Sequence, residues 1–233
     1  MKVTKIDRLN YLKPEQYPNC DIFCLHVLID DLEMIIAEMR VVIAGTSWIN
    51  RLRSIDQKIY TVNSKKTIDK IVNIITSRVV NELNDSVGEY MISYTAQKML
   101  VDSFNHFRLP LAELLKEKIS GNPGFDFHTI SEKKLLNFGE AKFSMKETPK
   151  DLAINQISDF IKDEKDYGEL LSLKPLVDSL VIDNMDDGKR GYIAAFSFNS
   201  KSIDTIFKHA LNSDAMKNIG KYQEFYLIAI QVC

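Results

Sequence analysis

Asp126, Glu140 and Lys142 are the residues whose types and spacing could do chemistry. They stand in Phe125-Asp126-Phe127-His128-Thr129-Ile130 and Leu135-Leu136-Asn137-Phe138-Gly139-Glu140-Ala141-Lys142-Phe143, two apolar runs separated by the polar Ser131-Glu132-Lys133-Lys134. This pattern predicts an antiparallel β-hairpin. With its turn centred near Lys133, Asp126 falls opposite Glu140, and opposed residues have Cβ atoms about 4.5–5.5 Å apart. Side chains alternate along a strand, so Glu140 and Lys142 share a face and Ala141 points away. Two carboxylates and one ammonium are thereby gathered in one place. Like charges directly opposed are destabilising, and a bound divalent cation is the obvious reason to keep them.

The elements before and after the hairpin contribute two further polar residues. A helix expected from about Val87 to Phe104 carries Glu89 on the face continued by Ile92, Ala96 and Met99. A carboxylate there is either a ligand or the partner of Ser86 in a capping box. Thr148-Pro149 reads as an N-cap and first-turn proline. The helix that follows presents Ala153, Ile157, Phe160 and Ile161, with Gln156 set among them. Such a glutamine is either a core amide that finds a partner or a residue of the site.

Elsewhere, residues 1–20 read as an irregular lead-in and Ile22–Ile29 as a buried strand, while Leu32–Ala44 fits either a helix or a strand. Helices are expected over Thr67–Leu83, Leu111–Ile119, Tyr167–Leu180 and Ile203–Leu211, with strands over Gly191–Phe198 and Phe225–Val232. The order describes an α/β (α+β) chain with a mixed sheet flanked by helices. Residues 1–83 form an extension packed on a core of residues 84–233, the whole being one compact unit.

Composition narrows the function classes. The 233 residues are 45% hydrophobic and 27% charged, and 30 Lys plus Arg against 32 Asp plus Glu give a net charge of −2. That balance does not describe a basic nucleic-acid binder, so a role on nucleic acid calls for local basic patches or a partner. No signal-peptide core and no run of about 18 apolar residues is present, which leaves the cytoplasm as the expected location and excludes a membrane span. Three cysteines make no disulfide framework. Cys20, Cys24 and His26 match no common zinc spacing and read as core. Gly121-Asn122-Pro123-Gly124 lacks the Gly-Lys-Ser/Thr of a phosphate cradle.

Gly88-Glu89 opening a helix, Asp126 on a strand, Glu140-Ala141-Lys142 on the next and Gln156 on the following helix resemble the PD-(D/E)xK nuclease superfamily. The resemblance covers about residues 84 to 165 and implies a restriction-endonuclease-like core. Phe125 stands where that motif names a proline. Within the superfamily, Gly-Phe-Asp-Phe-His and Phe-Gly-Glu-Ala-Lys-Phe are similar to the HamA and AbpA family, the nuclease subunits of Hachiman-type anti-phage defence. This implies a Mg²⁺-dependent deoxyribonuclease, with Mn²⁺ as a substitute, working with a superfamily-2 helicase subunit (HamB-like). Asp126 and Glu140, with Glu89, would hold the metal. Lys142 would act as a cation that orients water, and Gln156 would position water, lysine or substrate. The competing readings are a degenerate nuclease fold kept as a regulatory module, and a restriction or repair nuclease.

Overall fold

The runs Gly191–Ser197 and Glu224–Val232 are apolar at nearly every position, as strands covered on both faces must be. They form the centre of a seven-stranded mixed sheet in a computed structural model that describes residues 1–13, 15–77, 84–115 and 124–232. In chain order the strands are β1 (Lys2–Ile6), β2 (Asp21–Ile29), β3 (Phe107–Arg108), β4 (Phe127–Ile130), β5 (Leu136–Lys142), β6 (Gly191–Ser197) and β7 (Glu224–Val232). They lie side by side as β1-β2-β7-β6-β5-β4-β3. The four middle strands, β2, β7, β6 and β5, are parallel, and antiparallel strands close both edges. The chain is therefore α/β with a mixed sheet. The N-terminal segment adds β1 and β2 directly to that sheet instead of lying against it.

The helices are α1 (Leu32–Ala44), α2 (Ser54–Thr76), α3 (Asp85–Phe104), α4 (Ala112–Leu115), α5 (Lys150–Lys162), α6 (Lys165–Leu173), α7 (Ser179–Asp186), α8 (Ile203–Leu211) and α9 (Met216–Ile219). Alternation divides the core in two. Phe138, Tyr192, Ala194, Phe196 and Leu227 face α5, α7 and α8, whereas Ala141, Ile193, Ala195, Ile228 and Ile230 face α1, α3 and the second half of α2.

Several boundaries differ from expectation for local reasons. Residues 2–6 are a strand, not irregular, because β2 offers them an unpaired edge. Leu32–Ala44 is a helix, capped by the Asp31 carboxylate on the Met34 N–H. The helix expected from Thr67 begins thirteen residues earlier, at Ser54. Its first half buries Asp56, Tyr60 and Ser64, whose polarity hides the stripe that Ile68, Ile71 and Ile75 continue. Residues 78–83, the end of that expected helix, lie outside the described residues, as do residues 116–123. The span Tyr167–Leu180 is two helices, α6 and α7. Pro175 interrupts it and Asp178 caps the second on Val181 N–H. The helix expected at Pro149 begins one residue later, at Lys150.

A buried histidine ties the sheet to the turn after α3. His106 pairs its Nδ1 with Thr129 Oγ1 at 2.9 Å and its Nε2 with Tyr226 Oη at 3.0 Å. Burial pulls its pKa from 6.5 down to about 4. As pH falls, the unfolded chain takes up this proton first. The contribution is therefore fully present above pH 6.5 and is lost as pH drops from 6.5 through 4, amounting to about 3 kcal/mol. His106→Gln, which cannot titrate, should show a flatter loss of stability than the wild type across this window in chemical denaturation. Equal slopes would remove His106 from the account.

Candidate active site

The hairpin forms as its sequence pattern requires. Phe127 pairs with Gly139, His128 with Phe138, Thr129 with Asn137 and Ile130 with Leu136. The pairing ends there: Asp126 bonds back to Gly139, already the partner of Phe127, so it does not continue the ladder opposite Glu140 as expected but lies near it, close enough for its charge to act on that carboxyl. The reversal is made by Lys134 at φ 60, with the Lys134 N–H donating to Ser131 O at 2.9 Å and the Ser131 N–H to Leu135 O at 3.0 Å. Gly139 has no Cβ, and one added there would come within 2.4 Å of the Phe127 ring that crosses it.

Three hydrogen bonds fix Asp126. Its N–H donates to Gly139 O at 2.9 Å, its carbonyl accepts from Ala112 N–H at 3.0 Å, and its Oδ2 accepts from Ala141 N–H at 2.9 Å. Behind the hairpin, the Glu169 carboxylate of α6 accepts from Phe125 N–H at 3.1 Å and meets His128 Nε2 at 2.7 Å. This pair anchors the start of β4 from inside the core.

Glu140 lies at the carboxyl end of β5 with 1% of its surface exposed. Its Oε1 accepts from the Lys142 ammonium at 2.6 Å, and its Oε2 is buried and, among the described residues, has no hydrogen-bond partner. Lys142 extends on to Glu89 Oε1 at 3.9 Å. Glu89 reaches it because α3 comes close to the end of β5 at Gly88, where a Cβ would fall 2.1 Å from the Phe143 ring. The capping reading of Glu89 does not hold. Asn84 caps α3, accepting from Val87 N–H at 2.9 Å, which leaves Ser86 and Glu89 inside the helix.

Electrostatics follow from this crowding. Burial first, and then the charge of Asp126, push the Glu140 carboxyl well above the ordinary glutamate range, and Lys142 opposes them. For Lys142, burial favours the neutral amine, but Glu140, Asp126 and Glu89 together outweigh it and raise its pKa. Lys142 is therefore a held cation and not a free base.

Asp126, Glu140, Lys142 and Glu89 are thus brought together. Gln156 is half-buried on α5, the helix that packs against the Phe138 face of β5, and among the described residues it hydrogen-bonds to none of the four. A residue that sequence reasoning missed is Glu113 on α4. With Ser86, Glu89, Tyr90, Ser93, Leu111 and Asp126 it lines a cavity of about 90 Å³ beside the cluster, and Tyr90 Oη donates to its carboxylate. No pattern could have exposed it, because α4 is four residues long and its place depends on the Ala112–Asp126 hydrogen bond.

Among the described residues, no three His, Cys, Asp or Glu side chains form a cage for a metal ion. Magnesium does not need one. It is commonly held by one or two carboxylates, with water and substrate phosphate completing the shell. The unpartnered Oε2 of Glu140, beside the charge of Asp126, fits that lighter mode of binding.

Because the folded state keeps the Glu140 proton that the unfolded chain loses near pH 4.5, stability falls as pH rises from 4.5 through the folded-state value and then levels. Glu140→Gln removes this slope. In metal-free buffer, the variant's Tm relative to wild type should rise as pH is raised above 4.5. A difference that stays constant with pH would contradict the placement of that charge.

In comparison with known proteins, the chain matches no family model, no curated protein and no solved structure.

Proposed function

We propose that this protein is a metal-dependent nuclease that hydrolyses phosphodiester bonds of DNA, built on a restriction-endonuclease-like core. One observation carries the reading: Glu140, buried at the carboxyl end of a parallel strand, feels the charge of nearby Asp126 and holds the Lys142 ammonium at 2.6 Å. Carboxyl ends of strands are where open α/β sheets bind ligands. Asp126 and Glu140 would hold Mg²⁺, which when bound polarises a phosphoryl oxygen and acidifies water. Lys142, kept protonated by its three carboxylate neighbours, orients the attacking water and offsets charge developing on the phosphate. Glu89 holds the ammonium from its far side. A second reading is a non-catalytic cluster in a regulatory subunit, favoured by the absence, among the described residues, of a hydrogen bond from Gln156 to the charged group.

The wider role we propose is that of an effector in two-component anti-phage defence with a helicase partner. Charge placement supports the need for a partner. Of the three basic dipeptides, two are engaged, Lys133-Lys134 with Asp21 and Asp178 and Lys189-Arg190 with Asp187 and buried Asp166, while Lys65-Lys66 lies on α2. Those two dipeptides therefore offer little unengaged cation to grip a phosphate backbone.

Purified protein should nick or linearise plasmid only with Mg²⁺ or Mn²⁺, alone or with a helicase partner. Asp126→Ala and Glu140→Ala should abolish cleavage, and Lys142→Arg should lower it about 100-fold, because a planar fork cannot replace a compact ammonium. Wild-type rates in any of these variants would refute the assignment. Without a partner, DNA affinity should be weak, with a log–log salt slope no steeper than about −3. Tight binding with a steep slope would show that the chain carries its own DNA-binding surface.

A further inference from the structure

The amphipathic helix α2 buries Asp56, Tyr60, Ser64, Ile68, Ile71 and Ile75 along one side. Its opposite side is not simply polar. Ile55, Ile59 and Val62, spaced i, i+4 and i+7, are 59%, 48% and 74% exposed. They form an apolar stripe about 10 Å long on the outer face. Single exposed apolar residues are ordinary, but three in register on two turns mark a contact surface.

The surroundings of the stripe are basic. Lys66 continues it by one turn, and Lys58, Lys65 and Lys70 flank it, all exposed. None of these four makes an ion pair among the described residues. The acids of α2 do little to balance them: Asp56 is buried and paired with Arg53 at 2.9 Å, which leaves Asp69 as the exposed carboxylate. A chain of net charge −2 thus concentrates unpaired cations around its most regular exposed apolar stripe.

We propose that the outer face of α2 is a docking surface for an acidic amphipathic helix of a partner protein. Apolar anchors spaced i, i+4 and i+7 would lie along Ile55, Ile59 and Val62, and Glu or Asp flanks would meet Lys58, Lys65, Lys66 and Lys70. A second copy of this chain fits poorly, because apposed α2 faces would bring the lysines together. A duplex would leave the three aliphatic side chains against phosphate. A lipid surface is served by Trp, Phe and Leu, and this stripe holds only β-branched residues. The proposal stands whether or not the Glu140 cluster cuts DNA, since its test reads binding alone.

The test uses the full chain and a fluorescent synthetic helix of about 21 residues, with leucine at i, i+4 and i+7 positions and glutamate on its flanks. Anisotropy should show saturable binding with Kd on the order of 10 μM at low salt, weakening as salt rises. Val62→Asp and the Lys65→Glu/Lys66→Glu double variant should each weaken it by about tenfold or more. All three positions are exposed, so Tm should hold and the loss cannot be assigned to unfolding. A composition-matched scrambled helix should not bind. Absence of saturable binding, or binding indifferent to Val62→Asp, overturns the proposal. So does preferential binding of the same face to phosphatidylserine vesicles or to a DNA duplex, or a dimer of the chain that Val62→Asp dissolves.

Discussion

A carboxylate held almost out of water organises the centre of this protein. Glu140 sits 1% exposed at the carboxyl end of β5, with Lys142 against one oxygen and nothing among the described residues hydrogen-bonded to the other. Such a group is costly to bury as an anion, and the charge of Asp126 nearby makes it costlier. The surroundings are built to keep it there. Glu169 pins the start of β4, Gly139 lets Phe127 pack across the hairpin, and Gly88 lets α3 bring Glu89 within reach of Lys142. A buried ion pair is weak as a source of stability, and an apolar pair would often serve the fold as well. The pair is better understood as something the fold supports than as something that supports the fold.

The protein shows elsewhere what purely structural charge looks like. Asp166 is fully buried, but Arg190 meets it at 2.6 Å and Tyr192 donates to it, while Tyr167 and Tyr222 stack on the guanidinium. Both members of this pair are enclosed and partnered on several sides. The Glu140 cluster is different, because one oxygen is left over and the neighbouring cavity opens beside Asp126 and Glu89. That contrast is the physical reason for reading chemistry into one group and architecture into the other.

The hairpin was legible because its information is local. Alternation and a polar turn set the register from Phe127–Gly139 to Ile130–Leu136, and Asp126 stands directly before it. Strands β6 and β7 and helix α8 were equally plain, since each is a single uninterrupted pattern. What stayed hidden depends on partners remote in sequence. β1 needs the edge of β2, the first half of α2 buries polar residues, and the true cap of α3 is Asn84, two residues before Ser86. Glu113 reaches the cavity only through the packing of α4 on the residue before β4.

The central claim is that Asp126 and Glu140 together hold a divalent cation. Crystals of the protein soaked in Mn²⁺ and measured for anomalous scattering test it most directly. The account predicts a peak about 2.2 Å from carboxylate oxygens of both Asp126 and Glu140, absent from crystals of Glu140→Gln. An empty site at saturating Mn²⁺, with the Lys142 ammonium still seated on Glu140, would contradict it.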